Sequence, residues 1–297
     1  MSAFLRNIGQ VSVAESAKLG SRLARRRLGG EFLRNIGALR PTVAAAVGAA
    51  LTCDSADLDG TNDYMQRGGA FTGEAASSQL LCSFWFRVDG GSGAVRRLVF
   101  ASGALANHVL FRINADSSIQ MRVDSALGTA SLIADTGATT FADDGTTWHH
   151  IVYAADTNFS AGNKIVKIIA DGVDVTSNIA DGDAAFDIGF NPTTPEWTIG
   201  ATVAGAAKWN GCLAEVYIAP GQFLDLTSSA NVQKFRSSGG KPVNLGADGS
   251  TPTGTAPLGY FHLDDAEAAA NFATNRGTGG NMTITGTLDT GSSSPSD

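Results

Sequence analysis

The chain has 297 residues, 43% of them apolar and only 16% charged, with 36 glycines and a net charge of −7. That composition excludes a disordered chain and a mainly helical enzyme. It points to an all-β protein whose many turns use glycine for positive φ. The acidic balance also argues against general nucleic-acid binding by the main body.

Charge is divided unevenly along the chain. Residues 1–40 hold eight basic and two acidic side chains, a charge of +6, which leaves −13 for residues 41–297. A basic arm on an acidic body is expected to have a separate job. The hexapeptide FLRNIG occurs twice in the arm, at 4–9 and 32–37. Phe4, Leu5, Arg6 and Ile8 form one copy, and Phe32, Leu33, Arg34 and Ile36 the other. Each copy is a peg that buries apolar side chains in a groove while its arginine meets an acidic rim. Two equal pegs fit neighbouring copies of a repeating partner; a neutral duplication making two unrelated contacts is the alternative.

Between the pegs, Ser12-Val13-Ala14-Glu15 has capping-box spacing. A helix is predicted over 12–28, with a thin stripe of Leu19, Leu23 and Leu28 and the cationic run Arg25, Arg26 and Arg27. Gly29-Gly30 ends it. Residues 42–53 read as a linker or first edge strand, and the apolar run at 42–51 is too short to span a bilayer. The basic N-terminus lacks the apolar core of a signal peptide, so the chain is expected to stay in a cytoplasm until it joins an assembly.

From about Cys53 short alternating segments take over. Strands are predicted at 80–88 (LLCSFWFRV), 107–114, 118–123, 147–154, 164–170, 196–200, 211–219, 257–263 and 282–288. Regular spacing with Gly, Asp and Asn between segments predicts a sandwich of roughly ten to fourteen strands, a jelly roll of two packed sheets. KIVKIIADGVDVT, at 164–176, reads as a hairpin with a type I′ turn at Asp171-Gly172. A short helix at 228–235 opens a Gly/Ser/Thr/Pro loop that runs to 255, and residues 291–297 carry no fold signal. The three cysteines, Cys53, Cys82 and Cys212, lack metal-ligand spacing and read as buried free thiols, with a bridged pair left open.

Several motifs stand in a telling order: WHHIV (148–152), the Asp171-Gly172 hairpin, WTIG (197–200) and WNGCLAEVYI (209–218). They resemble the laminin-G-like, concanavalin-like jelly roll, and LDGTNDYMQRG (58–68) is similar to that family's opening F-D-G-x-N-D-Y. The resemblance covers about residues 54–290. The late stretch, from KFRSSGG at 234–240 to MTITGTL at 282–288, is similar to the C-terminal half of laminin-G-like proteins of tailed bacteriophages. The resemblance implies a virion protein.

The concanavalin-like fold includes glycoside hydrolases, whose paired carboxylates in the glucanase branch share one strand as Glu-x-Asp-x-(x)-Glu. The six glutamates here show no such spacing, so no enzyme is expected. Adjacent His149 and His150 on one strand point to opposite faces and cannot chelate one metal; one is expected to face the core and the other solvent. Asp54, Asp57, Asp59 and Asp63 are the candidate calcium ligands, since hard cations take several oxygens; turn chemistry explains the same residues. Trp209, flanked by Lys208 and Asn210 near a loop, is the tryptophan expected to stack on a sugar.

The expected organisation is an all-β concanavalin/laminin-G-like jelly-roll sandwich at 54–290, a partly helical basic arm at 1–50 and a flexible tail at 291–297. The expected function is that of a non-enzymatic bacteriophage virion structural protein. Its arm docks on capsid, neck or tail subunits, and its lectin-like domain attaches to a host surface polysaccharide as part of a tail or fibre. A homo-oligomer is expected. A capsid decoration protein without ligand is the alternative, and a polysaccharide depolymerase a third reading.

Overall fold

A computed structural model describes residues 51–90, 93–102, 108–125, 131–137, 139–160, 163–181, 185–188 and 196–297. The arm, with both FLRNIG segments and the 12–28 helix, lies outside these residues.

Two eight-stranded antiparallel sheets make up the described body. The first runs β10 (Val173–Asp174), β9 (Asn163–Ala170), β8 (Trp148–Ser160), β3 (Gln79–Arg87), β13 (Asn210–Pro220), β1 (Ala56–Asp59) and β16 (Asp289–Thr290), with β14 (Gly259–Phe261) also paired to β13. The second runs β11 (Ser177–Asp181), β7 (Ser131–Asp135), β6 (Ile119–Asp124), β5 (His108–Ile113), β4 (Arg96–Ser102), β12 (Glu196–Ile199), β2 (Tyr64–Gly68) and β15 (Thr283–Thr285). The predicted jelly-roll sandwich is present, with more strands than expected because several are very short.

The sheets pack through alternate residues of their long strands. Leu80, Cys82, Phe84 and Phe86 of β3 face Val109 and Phe111 of β5 and Met121 and Val123 of β6 in one buried cluster. Phe84 meets Phe111 at 5.0 Å between ring centroids, and Phe111 meets Tyr153 at 5.4 Å, edge to face. All three cysteines are buried and free, and burial first raises the Cys212 thiol to about 12.

The outer face of β3, β8 and β13 is buried too. Leu81, Val152, Tyr217 and Ala219 lie beneath a second apolar cluster supplied by Leu226, Val232, Phe235, Val243 and Leu245. The segment after β13 is therefore a cover rather than a free loop. Its helix, α1 (Ser229–Val232), is a single turn, shorter than predicted. Pairing of Val173 with Ala170 leaves Asp171-Gly172 as a two-residue turn, with φ of 49° and 86°, as type I′ requires.

The tail differs from expectation. Ser293 Oγ accepts from Arg87 Nη1 at 2.7 Å and from Trp148 Nε1 at 3.0 Å, and Ser296 Oγ joins the backbone of Cys53. Buried or half-buried donors take up hydroxyls that the sequence shows only as a polar end. No helix among the described residues is long and apolar enough to cross a membrane.

Candidate functional site

The residues expected to hold a sugar or calcium are engaged within the fold, and the docking residues of the arm lie outside the described residues. Trp209 has no exposed surface and stands edge-on to Phe86, ring centroids 5.7 Å apart. It is part of the core and out of reach of a sugar, because it enters β13 on the face turned to the second sheet. Lys208 Nζ donates to the Gly205 carbonyl at 2.5 Å, and Asn210 Nδ2 to the Asp89 carbonyl at 2.8 Å. Of the other tryptophans, Trp85 and Trp197 are buried, and Trp148 is half-buried beneath Arg87 and Ser293.

The four aspartates do not converge. Asp54 accepts from the Ala266 amide, Asp59 from the Thr61 and Asn62 amides, and Asp63 from the Asp59 and Thr287 amides. Turn chemistry has taken these oxygens. Asp57 instead lies with Asp89 and Cys212. Asp89 there is paired to Arg87 at 2.7 Å, and Cys212 Sγ donates to Asp57 at 3.6 Å. A thiol and a guanidinium do not suit a hard cation that wants oxygen ligands, so these residues do not fit calcium.

His149 and His150 do point to opposite faces, but His149 is half-buried and His150 has no exposed surface. His149 packs on Phe86 and Phe141, and His150 is fully buried against Trp85, ring centroids 4.6 Å apart. The cover over the outer face explains the difference. His150 Nε2 shares a hydrogen bond with Ser83 Oγ at 2.8 Å. Its pKa falls to about 3, chiefly through burial; Asp171 opposes that shift and Arg236 reinforces it.

Where the cover meets the β9–β10 hairpin, a cleft of about 600 Å³ opens. That volume lies inside the range of about 300–1,000 Å³ usual for small-molecule sites. Ile169, Leu226 and Val232 supply its apolar lining. Asp171 and Asp174 stand on the hairpin side, and Ser229, Gln233 and Arg236 on the side of α1.

The two carboxylates already have partners. Asp171 accepts from the His150 amide at 2.9 Å and pairs with His149 Nδ1 at 2.8 Å. Burial acts to raise its pKa, but these bonds outweigh it and hold the carboxyl below its usual range. Asp174 bonds Lys167 Nζ at 2.6 Å and the Thr176 hydroxyl at 2.6 Å; there too the bonds outweigh burial and the pKa falls. The other polar groups are open. Among the described residues, Arg236 Nε is buried without a partner, and the Ser229, Gln233 and Ser238 side chains make no hydrogen bond. Sequence reasoning missed this site, because its lining is spread over two segments about sixty residues apart whose approach depends on the cover.

A two-sheet antiparallel sandwich with a ligand-sized polar recess on one outer face is the architecture of a lectin-type jelly roll. The sequence profile of the Laminin_G_3 family, the concanavalin A-like lectin/glucanases superfamily, matches residues 59–223, and the chain belongs to that family. A putative carbohydrate binding protein from Bacteroides ovatus ATCC 8483 has a similar structure, with a TM-score of 0.50 and 14% identity over 82% of this chain and 61% of that one. The native heptameric SAP-like pentraxin of Limulus polyphemus gives 0.48 at 9% identity, covering 80% of this chain and 94% of the pentraxin. The IT-sialidase CBM40 of Ruminococcus gnavus, bound to α2,3-sialyllactose, gives 0.44 at 13%, covering 62% and 100%. At such identities the likeness is one of fold. No curated protein sequence matches the chain.

Proposed function

We propose that the described body is a lectin-like domain that binds a glycan in the cleft between the β9–β10 hairpin and α1, and does not cleave it. The observation that carries this reading is a recess of saccharide size whose guanidinium, amide and hydroxyl groups are open while its apolar lining can receive a sugar's C–H face. Membership of a lectin/glucanase superfamily and the carbohydrate-binding description of the Bacteroides ovatus protein support it. Binding is favoured over hydrolysis because both cleft carboxylates are held by partners and have lowered pKa values, whereas a general acid at neutral pH needs a raised one. A glycan array probed with the full chain should show saturable hits. Ser229→Trp, at an exposed position on the cleft wall, should lower affinity for those hits at least about tenfold. Unchanged binding by that variant contradicts the assigned cleft.

The same reading places the domain on a virion, as a tail or fibre module attached through residues 1–50. Its support lies in the sequence: the +6 arm on a −13 body, the paired FLRNIG pegs, and the likeness of the late stretch to phage laminin-G-like proteins. Deleting residues 1–40 should abolish incorporation into particles and leave a folded domain; normal incorporation contradicts the anchoring role. Loss of particle stability without glycan binding favours the decoration reading.

A further inference from the structure

The geometry points to an acidic sugar as the ligand of this cleft, with its anionic group held by Arg236. This rests on the glycan-binding reading above and narrows it to a chemical class.

Charges around the cleft are unequally engaged. Asp171 is tied to the paired histidines of β8, and Asp174 to Lys167 and Thr176. Lys234, on the same segment as Arg236, donates to the Pro252 carbonyl at 2.7 Å. Arg236 is different: its Nε is buried without a partner, and no carboxylate bonds its Nη atoms among the described residues. A guanidinium keeps its charge at any physiological pH, and no carboxylate among the described residues meets the Nη atoms of this one, so they are the unanswered charge at the cleft.

The backbone around it lets the guanidinium pack closely between two glycines. A Cβ on Gly172 would lie 3.3 Å from Arg236 Nη1, and one on Gly240 would lie 2.9 Å from Nη2. Both glycines have positive φ, 86° and 79°. Two turns that only glycine adopts readily therefore make the room in which the guanidinium sits at the cleft wall. An arginine fork matches a planar carboxylate through two parallel N–H···O bonds, and it also takes a sulfate or phosphate. The Gln233 amide and the Ser229 and Ser238 hydroxyls then remain for the sugar's own hydroxyls. A neutral glycan would leave the fork unanswered, and a cationic one would be repelled by it.

The test compares acidic and neutral glycans on one array, using the full wild-type chain and Arg236→Gln, followed by calorimetry on the best hit. The hit is titrated intact and after carboxyl reduction or desulfation, which distinguishes a carboxylate from a sulfate. We expect hits confined to acidic glycans and at least about tenfold weaker binding once the anionic group is removed. In Arg236→Gln that difference should vanish while the chain still melts in one cooperative transition. Gln233→Ala should weaken binding while keeping the acidic preference. Neutral hits as tight as acidic ones, or an acidic preference that survives Arg236→Gln, overturn the inference and leave glycan binding standing. An array with no hits of any kind overturns both.

Discussion

His150 and His262 are both buried, yet their surroundings favour opposite charge states. His150 sits on Trp85 with a hydroxyl partner and is neutral. His262 lies between Glu215 and Asp264, and Arg276 bonds Asp264 and Glu267 beyond it. Burial acts to lower the His262 pKa, but the bonds and charge of Glu215 and Asp264 outweigh it and raise it. The consequences for stability have opposite signs. The His150 contribution is complete above its unfolded pKa near 6.5 and disappears as pH falls toward about 3. The His262 contribution is complete below about 6.5 and disappears as pH rises through its raised folded pKa. Urea denaturation from about pH 4 to about pH 9 should therefore show His150→Asn flattening the acid limb and His262→Gln flattening the limb above neutrality. Equal slopes in wild type and variants would contradict these assignments. Neither role was legible in the sequence, where a histidine in an apolar run gives no sign of which side chains will face it.

At the level of elements, what could be read depended on how much packing information a strand carries by itself. β3, β8 and β13 are long and apolar, and the hairpin turn is written in Asp171-Gly172, so each was legible. β1, with the sequence ADLD, and β11, with SNIAD, have no such pattern; their ladders with β13 and β7 define them. One signal for the cover was present in LLCSFWFRV. Leu81 and Trp85 occupy one face while Leu80, Phe84 and Phe86 occupy the other, and a strand apolar on both faces needs burial on both. The irregular spacing of Leu226, Val232, Phe235, Val243 and Leu245 hid the segment that supplies it. The ordered tail belongs to this scale as well. Removing residues 292–297 deprives the buried Arg87 of two hydroxyl acceptors and Trp148 Nε1 of its bond to Ser293. At about 1 kcal/mol per bond, and more for the charged donor, stability should fall by roughly 2–4 kcal/mol, read as a lower urea midpoint. An unchanged midpoint would show that the tail contributes nothing.

For the molecule as a whole, the fold class was legible because the motifs at 148–152, 197–200 and 209–218 sit on the central strands of the first sheet and on β12. The site was not. Tryptophan and aspartate drew the sequence reading toward a sugar platform and a calcium loop, and the fold spends Trp209 on the core and the aspartates on turns. What it leaves open is a mixed polar cleft between a hairpin tip and the cover, with Arg236 inside it. The most direct test of that cleft is a crystal structure of the full chain with the tightest glycan from the array. The account predicts the sugar between the β9–β10 hairpin and α1, within hydrogen-bond distance of Arg236 and Gln233. A sugar bound anywhere else on the sandwich, with this cleft empty, would contradict it.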